Sequence, residues 1–387
     1  MLDLSQILKD IHEMGAVTQA RVQRAADQIA VARKVLDDYA EMWDLFKAEV
    51  ASHTNLPWLV AGFGDEPIGT VFAPPQPPPP AHTVIATDGS QISLDRHAAA
   101  QCYLINTGLI EIHYGTPERP TLASHAQLYF RDEDLFPQES DDPSESALDM
   151  NIQTRRTLAE SDQLAALIGG NSGRHACAMV DNPLIVWTDP GQTKAAIEAL
   201  VAEFCKMLEA GRECHIPVIG YVSAPGHKDA VGALRSTLCQ PGCGHGRKDP
   251  CSQLANLTDC DLFYNLLRRA GERSALFRSQ ARSAQSYPAE HEIWFFYMNA
   301  GTEIARVEVP AWVKNDPALL AQAHSLAFDQ ALKGQGYPVA LAEAHNLAVV
   351  RGPERAAFFE LIEQSFAHQR ISVISTRKAL AKRTPYV

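Results

Sequence analysis

Three acids occupy positions from which carboxylates can do chemistry. Asp88 ends the β-branched run HTVIATD and precedes Gly89-Ser90, where the chain is expected to turn sharply and leave the carboxylate at the sheet edge. Glu160 lies in the helix-like stretch RRTLAES, and Asp181 ends an apolar run, ACAMVDN, ahead of Pro183. Carboxylates gathered in one dry pocket raise each other's pKa unless a cation balances them. Oxygen donors select hard divalent ions, Mn²⁺ or Mg²⁺. Two such ions about 4 Å apart can activate water and stabilise the leaving oxygen of a phosphodiester. The chemistry these residue types suit is metal-assisted phosphodiester hydrolysis. Taken singly, each acid has a plainer reading. Asp before Gly-Ser or Asn-Pro is a common turn former, and an isolated helical Glu is usually solvated. Only their joint placement on one fold makes the catalytic reading competitive.

The segment GYPVALAEAH adds Tyr337 and His345. Pro338 suits the first turn of a helix, and a separation of eight residues, close to whole turns, puts both side chains on one side. His345 can ligate Mn²⁺ or relay a proton, and Tyr337 can hydrogen-bond a phosphate. A packed or simply exposed histidine is the plainer alternative. Arg268, Arg269, Arg273, Arg278 and Arg282 form a local basic run suited to DNA phosphates, or to pairing with the many acids. Phe277 and Tyr287 nearby offer rings for stacking on an unpaired base. Cys239, Cys243, His245, Cys251 and Cys260 crowd a glycine-rich segment. Cys239, Cys243, Cys251 and Cys260 are candidate ligands for a structural zinc ion, with free thiols as the alternative, because no paired CxxC is present.

The elements that must position these residues follow from periodicity. Between Leu4 and Val50, apolar residues recur at three- to four-residue steps, predicting one or two amphipathic helices for packing or a dimer contact. Pro74 to Pro80 (PPQPPPP) form an extended spacer. Strands are then predicted at HTVIATD, QCYLINTG and LIEIHYG, the last two joined at Thr107-Gly108. An acid- and proline-rich loop spans Arg131 to Glu145, and a helix runs from Ser146 to Ile168. A strand at 176–182, a helix at 192–210, a strand at 217–223 and a helix at 228–238 come next. EIWFFYMN and EIARVEVP form a hairpin across Ala300-Gly301-Thr302, and helices follow from about Asp316. Three strands and then alternating helix and strand predict an α/β protein whose ribonuclease-H-like mixed sheet is flanked by helices, with an N-terminal helical arm. The expected organisation is an arm over 1–73, a linker over 74–81, and a domain over 82–387 with a cysteine-rich insertion near 239–260.

These motifs, in this order and spacing, resemble the NurA family. The match includes IATDGSQ, RRTLAES, AMVDNPL and GYPVALAEAH, and it covers roughly residues 80 to 365. LTDCDLFYNLLRRAGERSALF and FFYMNAGTEIARVEVPAWV resemble its bacterial branch. The resemblance implies a ribonuclease-H-like nuclease domain that cleaves single- and double-stranded DNA with Mn²⁺. It also implies a homodimer working with a hexameric HerA-type ATPase on DNA ends in double-strand break repair. Asp88, Glu160, Asp181, Tyr337 and His345 match the family's active-site pattern. Asp259 matches a further acid, with Asp261 two positions on as its alternative. The sequence departs from the family at Asp181, reading DNP where a DGS-like ending is common.

Composition is compatible with this reading. The 387 residues, 46% of them hydrophobic, suffice for a sizeable core. No run approaches a membrane span of about 20 apolar residues, and the N-terminus lacks a signal peptide's features. Eight cysteines without a secretion signal suggest reduced thiols in a cytosol, and the family resemblance implies a cytoplasmic, nucleoid-associated setting. A net charge of −12 argues against a broadly basic coat but not against a groove with local arginines. The competing expectations are an inactive DNA- or ATPase-binding scaffold and a ribonuclease or junction resolvase on the same fold.

Overall fold

The structure is a computed structural model that describes residues 7–53, 55–94, 100–135, 145–186, 188, 191–240, 242–246 and 248–371. Residues 136–144 of the expected acid- and proline-rich loop, and Leu4 of the arm, lie outside the described residues. The chain opens with helices α1 (Leu8–Asp38) and α2 (Trp43–Ser52) and short strands β1 (Gly62–Phe63) and β2 (Val71–Phe72). Strands β3 (His82–Ile92), β4 (Tyr103–Tyr114) and β5 (Thr121–Tyr129) precede helices α3 (Asp132–Leu135) and α4 (Glu145–Gly170). Then come β6 (Ala176–Val180), α5 (Lys194–Cys214), β7 (Val218–Val222), α6 (Asp229–Ser236) and α7 (Asp259–Leu266). Strands β8 (Arg273–Ser274), β9 (Phe277–Arg278), β10 (Ile293–Asn299) and β11 (Ile304–Pro310) follow. Helices α8 (Ala311–Lys314), α9 (Pro317–Lys333), α10 (Val339–Ala348) and α11 (Gly352–His368) end the described chain.

The chain divides into two compact units. The first comprises Met1–Pro77, Asn182–Val201 and Ile219–Tyr337, so the helical arm shares a unit with later segments. Its strands β9, β10, β11 and β7 are neighbours in that order and antiparallel. The rings of Phe263, Phe277, Phe295 and Tyr297 pack together in its core. Ala32 and Val35 of α1 and Phe46 of α2 are buried in the same core, which accounts for the C-terminal half of the arm's apolar stripe. Ile11, Met14, Val17 and Val22, earlier in α1, are exposed.

Charged groups are buried in this unit too, and they are paired. Arg306 donates to Glu308 (2.7 Å) and to Asp229 (2.9 Å), and its guanidinium stacks 3.5 Å from the Phe295 ring centroid. Glu308 also accepts from the Leu184 amide at 2.7 Å.

The second unit comprises Pro78–Asp181, Ala202–Val218 and Pro338–Val387. Its strand order is β5-β4-β3-β6, with β3, β4 and β5 antiparallel and β6 parallel to β3. A three-strand meander whose first strand takes a parallel partner after a crossover helix is the ribonuclease-H-like arrangement. Helices cover both faces. Gly89 faces α4, while Ser90, Asn106 and Gly108 face α10. Double coverage explains why His82 through Asp88 are all buried and why this stretch is an apolar run without alternation.

Two expectations about the meander are corrected. Thr107-Gly108 is not a turn, because β4 runs through it from Tyr103 to Tyr114. A Cβ on Gly108 would lie 2.3 Å from the Ala344 carbonyl oxygen and 2.8 Å from the Ala348 nitrogen. The glycine is there so that α10 can approach, not so that the chain can reverse. The third strand is β5, which the sequence hides because this edge strand is largely exposed and carries no regular apolar alternation.

Replacing Arg306 with Met should destabilise the protein by about 3–5 kcal/mol, because Asp229 and Glu308 would remain buried without their cation. Urea denaturation measures this, and a loss below about 1 kcal/mol would contradict the pairing as a stabilising contact.

Candidate active site

Register brings the acids together. The parallel pairing of β3 with β6 ends at Thr87 opposite Val180, so the next residue on each strand is an acid, Asp88 and Asp181. The two therefore sit side by side where the β3–β6 pairing ends. Contrary to the turn expected at Gly89-Ser90, β3 continues to Ile92 in its pairing with β4. Gly89 serves another purpose, since a Cβ there would sit 2.3 Å from Glu160 Oε1 and 2.8 Å from Arg156 Cγ. The missing side chain makes room for Glu160 on α4. Thr87 Oγ1 donates to the Glu160 carbonyl at 3.1 Å and holds that turn of α4 on the strand.

Helix α10 approaches the other face. Asp88 lies directly opposite Gly108 in the β3–β4 register, and Gly108 admits the α10 backbone. Ser90 Oγ donates to the Ala348 carbonyl, and Asn106 Nδ2 donates to the carbonyls of Leu347 (3.1 Å) and Ala348 (2.8 Å). The helix so placed puts His345 Nδ1 2.8 Å from Asp88 Oδ2. With Asp88 ionised, Nδ1 must carry the proton and Nε2 is the ring's free nitrogen. Asp88 is nearly buried, whereas the His345 side chain is 59% exposed. The imidazole therefore stands between a buried carboxylate and solvent.

Glu160 is 5% exposed and incompletely satisfied. Arg156 Nε lies 3.3 Å from its Oε1, but the geometry forms no hydrogen bond and leaves both buried atoms without one. Burial pushes the Glu160 carboxyl up to about 8; Arg156 opposes the rise, and Asp88 and Asp181 add to it. A buried acid with an orphaned oxygen beside two further carboxylates is a donor set that fits a hard divalent cation. Among the described residues, these acids do not close to the mutual 4.8 Å that Cys239, Cys243, His245 and Cys251 reach. Arg156 is the cation placed beside Glu160.

Other predicted residues sit elsewhere. Tyr337 belongs to the first unit, its ring edge-on to Tyr221 at 5.9 Å. It precedes α10, which starts at Val339 after the extended Pro338, so the count of whole turns to His345 does not apply to it. Asp259 is fully buried in the first unit, where it accepts from the amides of Ala230 and Val231 and, at 2.6 Å, from the Tyr297 hydroxyl. Asp261 closes a capping box with Thr258 at the start of α7. Both acids thus have local structural partners.

The arginine run divides. Arg268 and Arg269 are exposed, Arg269 pairing with Glu272 at 2.7 Å. Arg278 is 43% exposed beside Glu292. Arg282 is exposed and donates to the Gln192 carbonyl at 3.2 Å. Arg273 is buried, its guanidinium 3.8 Å from the Phe72 ring centroid and its Nη1 donating to the Ser274 carbonyl, which removes it from the phosphate-binding set. Phe277 and Tyr287 are buried as well and present no ring to a base. Cys260 lies apart from the other thiols, its Sγ 3.6 Å from the Ile304 carbonyl. Sequence reading missed Arg156, although its place four residues before Glu160 on a helix is the ordinary signature of an ion pair.

The two glycines give contrasting expectations. Gly108→Ala should lower the melting temperature strongly, because its Cβ meets helix backbone. Gly89→Ala should cost less stability, because a side chain can move aside, yet it displaces the Glu160 carboxylate. Thermal melts of both variants test the contrast, and equal losses would contradict it.

A second expectation concerns pH in the presence of chelator. The folded chain holds the Glu160 proton up to about 8, against an ordinary value near 4.5, so folding is favoured at the acid end. That contribution is complete below the ordinary value and is lost as pH rises through the folded one. Between about pH 5 and pH 8, wild type should lose more thermal stability than Glu160→Gln; parallel curves would refute the assignment.

The NurA domain matches residues 82–350, more than half of the chain. Comparison with curated proteins finds no match. Among solved structures, the chain is similar to the NurA nuclease from Sulfolobus solfataricus, at 14% identity and a TM-score of 0.46 over 74% of this chain and 85% of that one. It is also similar to the catalytic domain of human Endonuclease V, at 10% identity and a TM-score of 0.33 over 84% of this chain and 98% of that one. A third likeness is to LC9-RNase H1, a type 1 RNase H with the type 2 active-site motif, at 12% identity and a TM-score of 0.21 over 41% and 71%. These likenesses are remote, and the assignment rests on the domain match, whose span includes Asp88, Glu160, Asp181 and His345. The chain belongs to the NurA family.

Proposed function

We propose that this protein is a divalent-metal-dependent nuclease that hydrolyses DNA phosphodiester bonds, with Asp88, Glu160, Asp181 and His345 as its metal-binding and catalytic residues. The observation that carries this reading is the buried Glu160 carboxyl, one oxygen without a hydrogen bond, beside two acids just past the β3–β6 pairing. A hard divalent ion, Mn²⁺ or Mg²⁺, would supply charge neutralisation and Lewis acidity at the scissile phosphate. Asp88, Glu160 and Asp181 would hold that ion. Asp88 also fixes the His345 ring through Nδ1, leaving Nε2 to accept or deliver a proton on the solvent side. Arg156 places a positive charge beside Glu160. Exposed Arg268 and Arg269 and half-buried Arg278 are proposed phosphate contacts, and Tyr337 a further phosphate donor.

Family membership supports the finer reading: Mn²⁺ as the working ion, single- and double-stranded DNA ends as substrate, and a homodimer acting with a HerA-type ATPase in double-strand break repair in the cytoplasm. No helix among the described residues is long and apolar enough to cross a membrane. One observation favours the competing scaffold reading. A guanidinium stands where a metal's charge would stand beside Glu160.

The test is cleavage of labelled linear duplex and single-stranded DNA with Mn²⁺, with and without the ATPase. RNA and a four-way junction serve as the other substrates. Asp88→Asn and Asp181→Asn should each reduce cleavage by at least about 100-fold while the melting temperature holds, since losing a metal ligand costs several kcal/mol of transition-state stabilisation. If wild type leaves all substrates whole with every divalent ion tried, the scaffold reading replaces this one. Preferential cleavage of RNA or of the junction would reassign the substrate.

A further inference from the structure

We infer that Cys239, Cys243, His245 and Cys251 form a structural zinc site, separate from the carboxylate cluster and independent of its chemistry. All four ligand atoms lie within 4.8 Å of one another. Four of the six pairwise separations have clear values. Cys243 Sγ is 3.5 Å from Cys251 Sγ, and His245 Nδ1 is 3.8, 3.6 and 3.9 Å from the sulfurs of Cys239, Cys243 and Cys251. Zinc–sulfur bonds of about 2.3 Å in a tetrahedron require sulfur–sulfur edges of about 3.8 Å, and the shorter zinc–nitrogen bond brings mixed edges to about 3.5 Å. The four donors already occupy the corners of a figure of that size. A disulfide is not what gathers them, since its sulfurs would be about 2.05 Å apart and all three cysteines are free.

The backbone is bent to make this cluster. Gly242 has φ +79°, and His245 takes φ +56°, a left-handed conformation uncommon for a side-chain-bearing residue. Together they fold the segment back so that His245 meets cysteines on both sides in sequence. Asp249 accepts from the Gly246 amide at 2.6 Å and closes the turn that returns to Cys251. Around the ligands, Arg235 Nε donates to the Cys251 carbonyl at 2.9 Å and its guanidinium stacks 3.6 Å from the Trp58 ring centroid. The Trp58 ring in turn packs edge-on to His245 at 5.0 Å. Ligands whose orientation is set by such outer contacts are typical of a built metal site.

The position suggests what the ion does. Cys251 is buried at the start of the short 3-10 helix Pro250–Leu254. That helix accepts a bond from α1, Gln28 Nε2 to the Gln253 carbonyl at 2.7 Å, and Leu254 shares the core with Ala32 and Val35. Zinc would tie the end of α6 to this helix and so brace the bed on which α1 lies. Among the described residues, no regular element lies between Ser236 and Pro250 to do so.

The experiment reads metal, not activity, and therefore stands or falls apart from the nuclease reading. Full-length protein purified under reducing conditions without chelator should contain about one zinc per chain by elemental analysis. After zinc is released with a mercurial, added Co²⁺ should give the intense visible bands of tetrahedral thiolate coordination. Cys243→Ser should lose at least about half of the bound zinc, and its melting temperature should fall by about 5 °C or more. Cys260→Ser, outside the cluster, should keep both. Should Cys243→Ser fail to fold, the wild-type stoichiometry and the cobalt spectrum still decide. Wild type without zinc and without cobalt bands would overturn the inference. So would iron in place of zinc, or zinc loss in Cys260→Ser equal to that in Cys243→Ser.

Discussion

Glu160 lies against Gly89 of strand β3 with one carboxylate oxygen lacking a hydrogen bond, beside Asp88 and Asp181. A buried acid in that situation either keeps its proton or acquires a cation. The arrangement of the second unit follows from the need to hold it there. Helices α4 and α10 must reach the same short length of β3 from opposite faces. Each does so through a glycine, Gly89 against α4 and Gly108 against α10. The pairing of β3 with β6 then fixes Asp181 beside Asp88, and the bonds of Ser90 and Asn106 to the end of α10 fix His345 over Asp88.

The first unit meets the same physical problem and settles it. Asp259, fully buried, accepts from two amides and a tyrosine hydroxyl. Glu308 and Asp229 share the guanidinium of Arg306 and, for Glu308, the amide of Leu184. Buried polar groups in native proteins are nearly always satisfied in this way. The contrast with Glu160 separates acids that stabilise the fold from one the fold holds in tension. Burial alone would not tell them apart, since all of these acids are largely removed from solvent. The cysteine segment is a third version of the problem. Its three thiols and one imidazole converge at separations close to the edges of a zinc tetrahedron.

Much of this was legible in the residues. The apolar run before Asp88, the helix carrying Glu160, the strand before Asp181 and the hairpin over 293–310 appear where periodicity puts them, because fully buried strands and amphipathic helices leave strong patterns. Strand β5 was not legible, because an exposed edge strand is under no pressure to alternate. Thr107-Gly108 and Gly89-Ser90 were misread as turns for one shared reason. Glycine is the residue of turns and also the residue of close approach, and a linear sequence does not distinguish the two. The arginines from 268 to 282 form a single run in sequence, yet only the fold separates the buried Arg273 from its exposed neighbours.

By itself, then, the amino-acid sequence determined most element types, the acids that follow two buried runs, the basic run and the crowding of cysteines, since all of these are local properties of composition and period. Tertiary structure decided the partners. It set Asp88 against His345 across 257 positions of chain, gave Glu160 its incomplete pairing with Arg156, and placed His245, not Cys260, among the other cysteines. Those choices depend on helix approach, strand register and one left-handed turn, and such long-range geometry leaves no periodic trace in a sequence.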